Sequence, residues 1–348
     1  MNVRLMLFDF SSFSSEPLNQ NWNKAQNSDH FLMNHRLLKS KMSYRRYRNV
    51  KPFQMKFEWI YTFGQSGVSG TTNVNLLSKP LDVKISYTHE CILISDTNGI
   101  QVFDLYTKKH KASISLPEFS LSHLCIEEFY EEQRDALLVS GNNLVCKYNL
   151  QLLLQEAAMD QQTPYIWNSD LAISPQGMAI AKQLQQVFIG DNYWAYILVL
   201  DLKTGDVINF IELCSSPYGV DVTTCAEQPK CESLYVIATG KNADFCIEIM
   251  KKNSDNEFYT KKAQFCEYGQ GIGKLKRPFG LVFDKEAKHV IVTDNEQHLI
   301  QIFTLEGNLV TFFGDKNNLN GPTGICLNEL RGELFVCNTS DHTVRVFR

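Results

Sequence analysis

Six short segments of this chain repeat one pattern: a β-branched residue, a spacer, usually a second aliphatic residue, then a bulky apolar one. They are Ile100–Phe103, Val145–Tyr148, Ile197–Leu200, Ile247–Met250, Ile300–Phe303 and Val344–Phe347, and their last residues are 45, 52, 50, 53 and 44 positions apart. A strand that recurs at such a period marks a radial repeat, the β-propeller, in which no four-stranded unit buries both faces alone. This constrains architecture far more than function, because propellers carry their chemistry in loops.

The residues between these segments fall into columns. Pro-x-Gly occurs at 175–177, 217–219, 278–280 and 322–324; Pro80-Leu81-Asp82 and Leu121-Ser122-His123 stand in its place in the first two blocks. Proline fixes φ on the way into a strand, and glycine lets backbones approach closely near a crowded axis. The first and third residues after the glycine position are apolar in every block, from Val83 and Ile85 to Ile325 and Leu327. That is the period-2 signature of a strand. Second strands such as ILIS (92–95) and VIVT (290–293) are followed by Asp96, Asn142, Asp191, Asp294 or Asn338. These residues suit tight turns, and turn capping is preferred to calcium binding because each acid stands alone in its block. Strong helix formers at 150–159 predict a helical insertion after the third strand of the second block.

Phe57–Gly64 resembles the outer strand Asn308–Gly314 down to its closing aromatic-Gly, while the sixth block has no outer strand before Arg348. The N-terminal strand is therefore expected to complete the last blade and remove the open edge. The predicted fold is all-β: a six-bladed propeller of four-stranded antiparallel blades over 57–348, preceded by a largely disordered basic leader over 1–56.

Charge divides along the same boundary, with a net of +7 for 1–56 and −11 for 57–348. An acidic propeller lacks the positive field a general polyanion binder needs. No apolar run approaches the roughly 18 residues of a membrane span. Ten cysteines occur with no C-x-x-C pair, most within strand-like runs, which suits buried thiols in a cytoplasmic, reducing setting.

Residues 278–303 and 322–347 show Pro-x-Gly, a strand, an acidic or amide turn, His298 or His342, and a closing I-x-V-F-like strand. In this they resemble the NHL-repeat family. The resemblance extends over 57–348 but is close only in blades 1, 5 and 6; the WD40 pattern of paired Gly-His and Trp-Asp is absent. It implies a propeller that binds protein or RNA through the face bearing the outer-to-inner loops and the second-to-third strand turns. Tripartite-motif proteins carry such propellers, so a substrate-recognition role in a ubiquitin-ligase assembly is a further reading, although this chain has no RING or B-box ligands.

Some similar propellers are metal-dependent lactonases or the peptide-amidating lyase, with metal ligands around the channel. The corresponding column here is Lys84, Cys125, Ala179, Asp221, Val282 and Cys326. One carboxylate and one cation without histidine do not make a metal cage, so no catalytic residue, metal or cofactor is assigned. Lys84 and Asp221 fall in opposite blades, and the expectation is either a pair across or near the channel or two separately solvated side chains. GQGIGKL (269–275) precedes a strand, not a helix N-terminus, and so lacks phosphate-loop geometry.

On the expected binding face, Lys274, Lys276 and Arg277 enter blade 5, Lys316 enters blade 6, and Lys79 and Lys241 share the same end. Eight acids oppose these six cations, a poor footprint for RNA. The reading from sequence is a monomeric, non-catalytic scaffold that binds a protein partner around blades 5, 6 and 1. RNA binding and a degenerate metal-dependent hydrolase or lyase are the alternatives.

Overall fold

A computed structural model describes residues 50–64, 77–116, 120–131, 134–157, 163–228, 231–241, 246–252 and 258–348. The chain divides into two units, Met1–Val50 and Lys51–Arg348. The leader up to residue 49 lies outside the described residues.

The second unit is a six-bladed propeller. Its first strand is β1 (Trp59–Phe63). Blade 1 is β2 (Asp82–Ser86), β3 (Cys91–Asp96), β4 (Gly99–Asp104) and β5 (His110–Ile114). Blade 2 is β6 (Leu121–Glu131), β7 (Arg134–Gly141), β8 (Leu144–Asn149) and β9 (Trp167–Ser169), with helix α1 (Leu150–Glu156) between its last two strands. Blade 3 is β10 (Pro175–Ala181), β11 (Gln186–Asp191), β12 (Tyr196–Asp201) and β13 (Val207–Glu212). Blade 4 is β14 (Ser216–Gln228), β15 (Cys231–Lys241), β16 (Ile247–Lys252) and β17 (Tyr259–Phe265). Blade 5 is β18 (Pro278–Asp284), β19 (His289–Asp294), β20 (Leu299–Thr304) and β21 (Leu309–Phe313). Blade 6 is β22 (Pro322–Asn328), β23 (Glu333–Asn338) and β24 (Thr343–Phe347), completed by β1.

Blades 1 to 5 are antiparallel sheets in sequence order, blade 6 takes β1 as its outer strand beside β24, and each innermost strand touches the next around the ring, β22 returning to β2. β1 pairs antiparallel with β24, Phe63 opposite Val344, so the expected strand closure is present. Side chains alternate between the two faces of every blade. In β3, Ile92 and Ile94 pack toward blade 6, while Cys91 and Leu93 pack toward blade 2. The core is thus six wedges, each clamped between neighbouring blades. At about 1.5–3 kcal/mol per fully buried aliphatic or aromatic side chain, these wedges hold the ring together.

The expected helical insertion is present as α1, capped by Asn149, whose side chain accepts the Leu152 N–H at 3.2 Å. Leu150 and Leu153 bury against the wedge between blades 1 and 2. The compact unit begins at Lys51, so residues 51–56, assigned to the leader on sequence, pack on the propeller. Phe53 is buried among Phe57 and Phe313, and its N–H donates to the Asp284 carboxylate at 2.7 Å. The Lys51 N–H donates to the Glu329 carbonyl, which makes this segment a strap from blade 6 to blade 5.

Candidate functional site

The Pro-x-Gly glycines sit where one inner strand meets the next. A Cβ on Gly280 would lie 2.3 Å from the Thr323 carbonyl, and one on Gly324 would lie 2.5 Å from the Asp82 Cα. Only a residue without a side chain allows that approach. A second column supports it. Ser95 accepts the Asp82 N–H and donates to the Ser122 carbonyl of blade 2, both at 3.0 Å. Thr293 accepts the Gly280 N–H at 2.8 Å and donates to the Thr323 carbonyl of blade 6 at 2.6 Å. Ser140 and Thr239 accept the His123 and Gly219 N–H groups in the same way. These hydroxyls close second strands quoted for their apolar residues, so the signal lay in the sequence as an unexplained Ser/Thr column.

Where glycine is replaced, polar chemistry enters the channel. One Asp82 oxygen accepts the Val83 N–H and the other accepts Leu124 N–H from blade 2, both at 2.9 Å. The Lys84 ammonium lies 2.8 Å from Asp82. The expected pairing of Lys84 with Asp221 gives way to this bond, because residues two apart on one strand share a face. The Asp221 oxygens instead accept the Val222 and Phe283 N–H groups at 2.7 Å. Burial works against the Lys84 ammonium, but Asp82, with Cys326 and Cys125 beside it, outweighs burial and raises its pKa. Burial raises Asp221 against its two N–H donors and pushes the Cys125 and Cys326 thiols up to about 12.

His123 stands at the blade-2 glycine position, 4 % exposed, with Nδ1 2.8 Å from the Ser122 hydroxyl. Burial lowers its pKa to about 4, so the ring is neutral at pH 7. Phe279 stacks on it at 5.7 Å, and Tyr218 stacks on Phe279 at 5.5 Å. Asp82, Lys84 and His123, with residues of the other inner strands, line a cavity with room for about one water molecule. An organic substrate does not fit there. Among the described residues, no group of three or more His, Cys, Asp or Glu is placed to hold a metal ion.

The second-to-third strand turns and the outer-to-inner loops lie at one end of the blades, fastened by the turn acids. Asp294 accepts N–H groups from Lys276, Arg277 and Gln297, and Asp191 accepts them from Ile173, Ser174 and Tyr193. Their role here is capping, with backbone donors filling the carboxylates. His298 and His342 adopt left-handed backbone, and their Nδ1 atoms accept the Gly321 and Lys79 N–H groups, fixing the loops into blades 6 and 1.

Lys274, Lys276 and Arg277 share one loop. Lys274 pairs with Glu267 at 2.9 Å and Lys276 with Glu296 at 3.2 Å, which blunts the cationic character of the cluster. Arg277, Lys316 and Lys79 are exposed on the loops into blades 5, 6 and 1. The Lys241 backbone pairs with Ser216, and its side chain lies outside the described set. The same face holds an apolar patch that sequence reasoning missed: Leu171 (53 % exposed), Ile173 (46 %), Tyr193 (63 %) and Trp194 (55 %) on blade 3. The Tyr193 and Trp194 rings meet edge to face at 4.9 Å. Both fall in a turn outside every repeat column, which is the sequence signal for this patch. Among the described residues, no helix is long and apolar enough to cross a membrane.

No protein-family model matches this chain, and no curated protein matches it by sequence. Solved structures do resemble it in fold. An auxiliary nutrient binding protein from Bacteroides thetaiotaomicron superimposes with a TM-score of 0.60 at 12% identity, covering 82% of this chain and 76% of that one. A structural genomics protein of unknown function from the same species gives 0.57 at 13% identity, covering 82% and 72%. An auxiliary nutrient binding protein from Bacteroides ovatus gives 0.52 at 13% identity, covering 86% and 75%. At these identities the likeness shows the propeller fold alone.

Proposed function

We propose that this chain is a non-catalytic, NHL-type propeller that binds a protein partner through its loop face, in the cytoplasm. The observation that carries this reading is the pairing of a water-sized channel with four exposed apolar side chains, Leu171, Ile173, Tyr193 and Trp194, on the loop face. Tyr and Trp are enriched among the few residues that carry most of the binding energy of protein interfaces, and exposed apolar side chains gathered on one face mark such a contact. Arg277, Lys316 and Lys79 are exposed cations elsewhere on the face, suited to local contacts with partner carboxylates at the rim. The Pro-x-Gly strands, the left-handed histidines 298 and 342 and the closing Phe-Gly turns support the NHL resemblance. The nutrient-binding role named for two of the Bacteroides proteins finds no support at the axis, where the space is too small.

The test is capture from cell extract by the full chain, with and without nuclease, comparing Tyr193→Ser/Trp194→Ser with Lys274→Ala/Lys276→Ala/Arg277→Ala. A protein that survives nuclease, and is lost with the aromatic pair, supports the reading. Recovery dominated by RNA that nuclease removes overturns it.

A further inference from the structure

Cys246 stands just before β16 and Cys266 just after β17, facing each other beyond the Ile247–Phe265 pair that ends the blade-4 ladder. The Cys246 N–H donates to the Cys266 carbonyl at 2.8 Å. Residues opposed across antiparallel strands have Cα atoms about 4.5–5.5 Å apart, within the span a disulfide bridges. The side chains converge as well as the backbones. The Cys246 thiol donates to the Leu275 carbonyl at 3.5 Å and the Cys266 thiol to the Gly273 carbonyl at 3.2 Å. Both sulfurs therefore hold one stretch of chain, the loop bearing Lys274, Lys276 and Arg277.

The backbone gives a second, independent reason to look here. Cys266 has φ 69°, and the residues that close the outer strands of blades 6 and 5 at this position are Gly64 (φ 65°) and Gly314 (φ 106°). A left-handed site that prefers glycine holds cysteine in blade 4, against the local conformational preference. That substitution places a second thiol directly opposite the first.

We propose that Cys246 and Cys266 form a redox-active pair whose closure to a disulfide loosens the 267–275 stretch. With a hydroperoxide as oxidant, the sulfur of one cysteine attacks the peroxide oxygen, giving a sulfenic acid and releasing water (or an alcohol, from an alkyl peroxide). The second thiol then displaces hydroxide from that sulfur, and a second water leaves as the S–S bond forms. A small dithiol reverses the change and is itself oxidised to a disulfide. Closure removes both S–H donors, so the Gly273 and Leu275 carbonyls lose their sulfur contacts. The 267–275 stretch then rests on its bonds to Gln301 and Gln297, on its own backbone bonds and on the buried Leu275, while Asp294 continues to hold the Lys276 and Arg277 N–H groups. Burial raises the Cys266 thiol, so reaction is slow while the loop is closed.

The inference stands apart from the partner-binding reading and is tested without a partner. The full chain is treated with hydrogen peroxide, quenched with an alkylating agent and mapped by mass spectrometry without reduction. The expected product is one cross-linked peptide pair joining Cys246 to Cys266, lighter by two hydrogens and restored by dithiothreitol. Tryptic cleavage after Lys274 is expected to quicken several-fold in the oxidised form. Cys266→Gly, which suits the backbone as glycine does in blades 5 and 6, is expected to fold, to lose the cross-link and to lose the peroxide-dependent cleavage. The proposal is overturned if both thiols remain alkylatable after the exposed Cys214 has been consumed, if cleavage is indifferent to oxidation, or if Cys266→Gly keeps the response.

Discussion

Replacing Lys147 with methionine is expected to cost this propeller about 3–5 kcal/mol, the usual penalty for removing one member of a buried ion pair. Lys147 is fully buried between blades 2 and 3, its ammonium 2.6 Å from the Glu127 carboxylate. It also donates to the Leu202 carbonyl of blade 3 at 2.6 Å and lies 4.4 Å from the Tyr130 ring centre. Methionine fills much the same volume, so the cavity contribution is small and the cost comes from the stranded carboxylate of Glu127. Removing both charges relieves that cost. Lys147→Met/Glu127→Leu is expected to recover most of the loss, leaving the Leu202 carbonyl to the Trp167 indole N–H, which already donates to it at 3.1 Å. Urea unfolding of the wild type, both single variants and the double variant gives the coupling energy directly. A Lys147→Met penalty below about 1 kcal/mol, or a double variant no better than the worse single one, refutes the argument that unpaired charge dominates.

Three further outcomes follow from the geometry. Gly280→Ala is expected to destabilise the ring by about 1–3 kcal/mol through overpacking against the Thr323 carbonyl, read as a lower urea midpoint with an unchanged slope. Phe53→Ala is expected to cost about 3–5 kcal/mol by emptying the pocket under the strap, and a neutral result in thermal unfolding would show that the strap does not fasten blades 5 and 6. His123 has a folded pKa of about 4 against 6.5 unfolded, so between those values the unfolded chain binds the extra proton. Stability is then lost as pH falls through that window, by about 3 kcal/mol in all, and His123→Gly should flatten that part of the urea-midpoint profile relative to wild type.

The fold was legible because it repeats. Apolar columns, Pro-x-Gly and the matching closing strands occur often enough for a period to emerge, and they are the residues that form the inter-blade wedges. What did not repeat was not legible. The strap joins Phe53 to Asp284 across 231 residues, and nothing in the Lys51–Phe57 segment marks its partner. The column places Lys84 opposite Asp221 and carries no sign of Asp82, two residues away on the same face, which takes the Lys84 ammonium. The apolar patch on blade 3 was overlooked because Tyr193 and Trp194 lie outside the columns. A residue with no structural place in a repeat is free to serve the surface.

The departures from the repeat also explain how this propeller differs along its axis. Four blades keep glycine at the close approach between inner strands, and there the backbones supply the contact. Blades 1 and 2 carry Asp82 and His123 at that position, and the contact is made by side chains: the Asp82 carboxylate reaches Leu124 N–H, and the imidazole lies under Phe279. Both groups point into space the glycines leave open. Blades 1 and 2, where glycine is replaced, therefore contribute Asp82, Lys84 and His123 to the channel's polar lining. Asp82 offsets the charge of Lys84, and the ring of His123 stacks on Phe279, leaving space for about one water molecule. A lining arranged in this way consumes its charge internally, with Lys84 on Asp82 and Asp221 on backbone N–H groups. The loop face is less self-contained: its turn acids and histidines are spent on capping, while Tyr193 and Trp194 remain exposed.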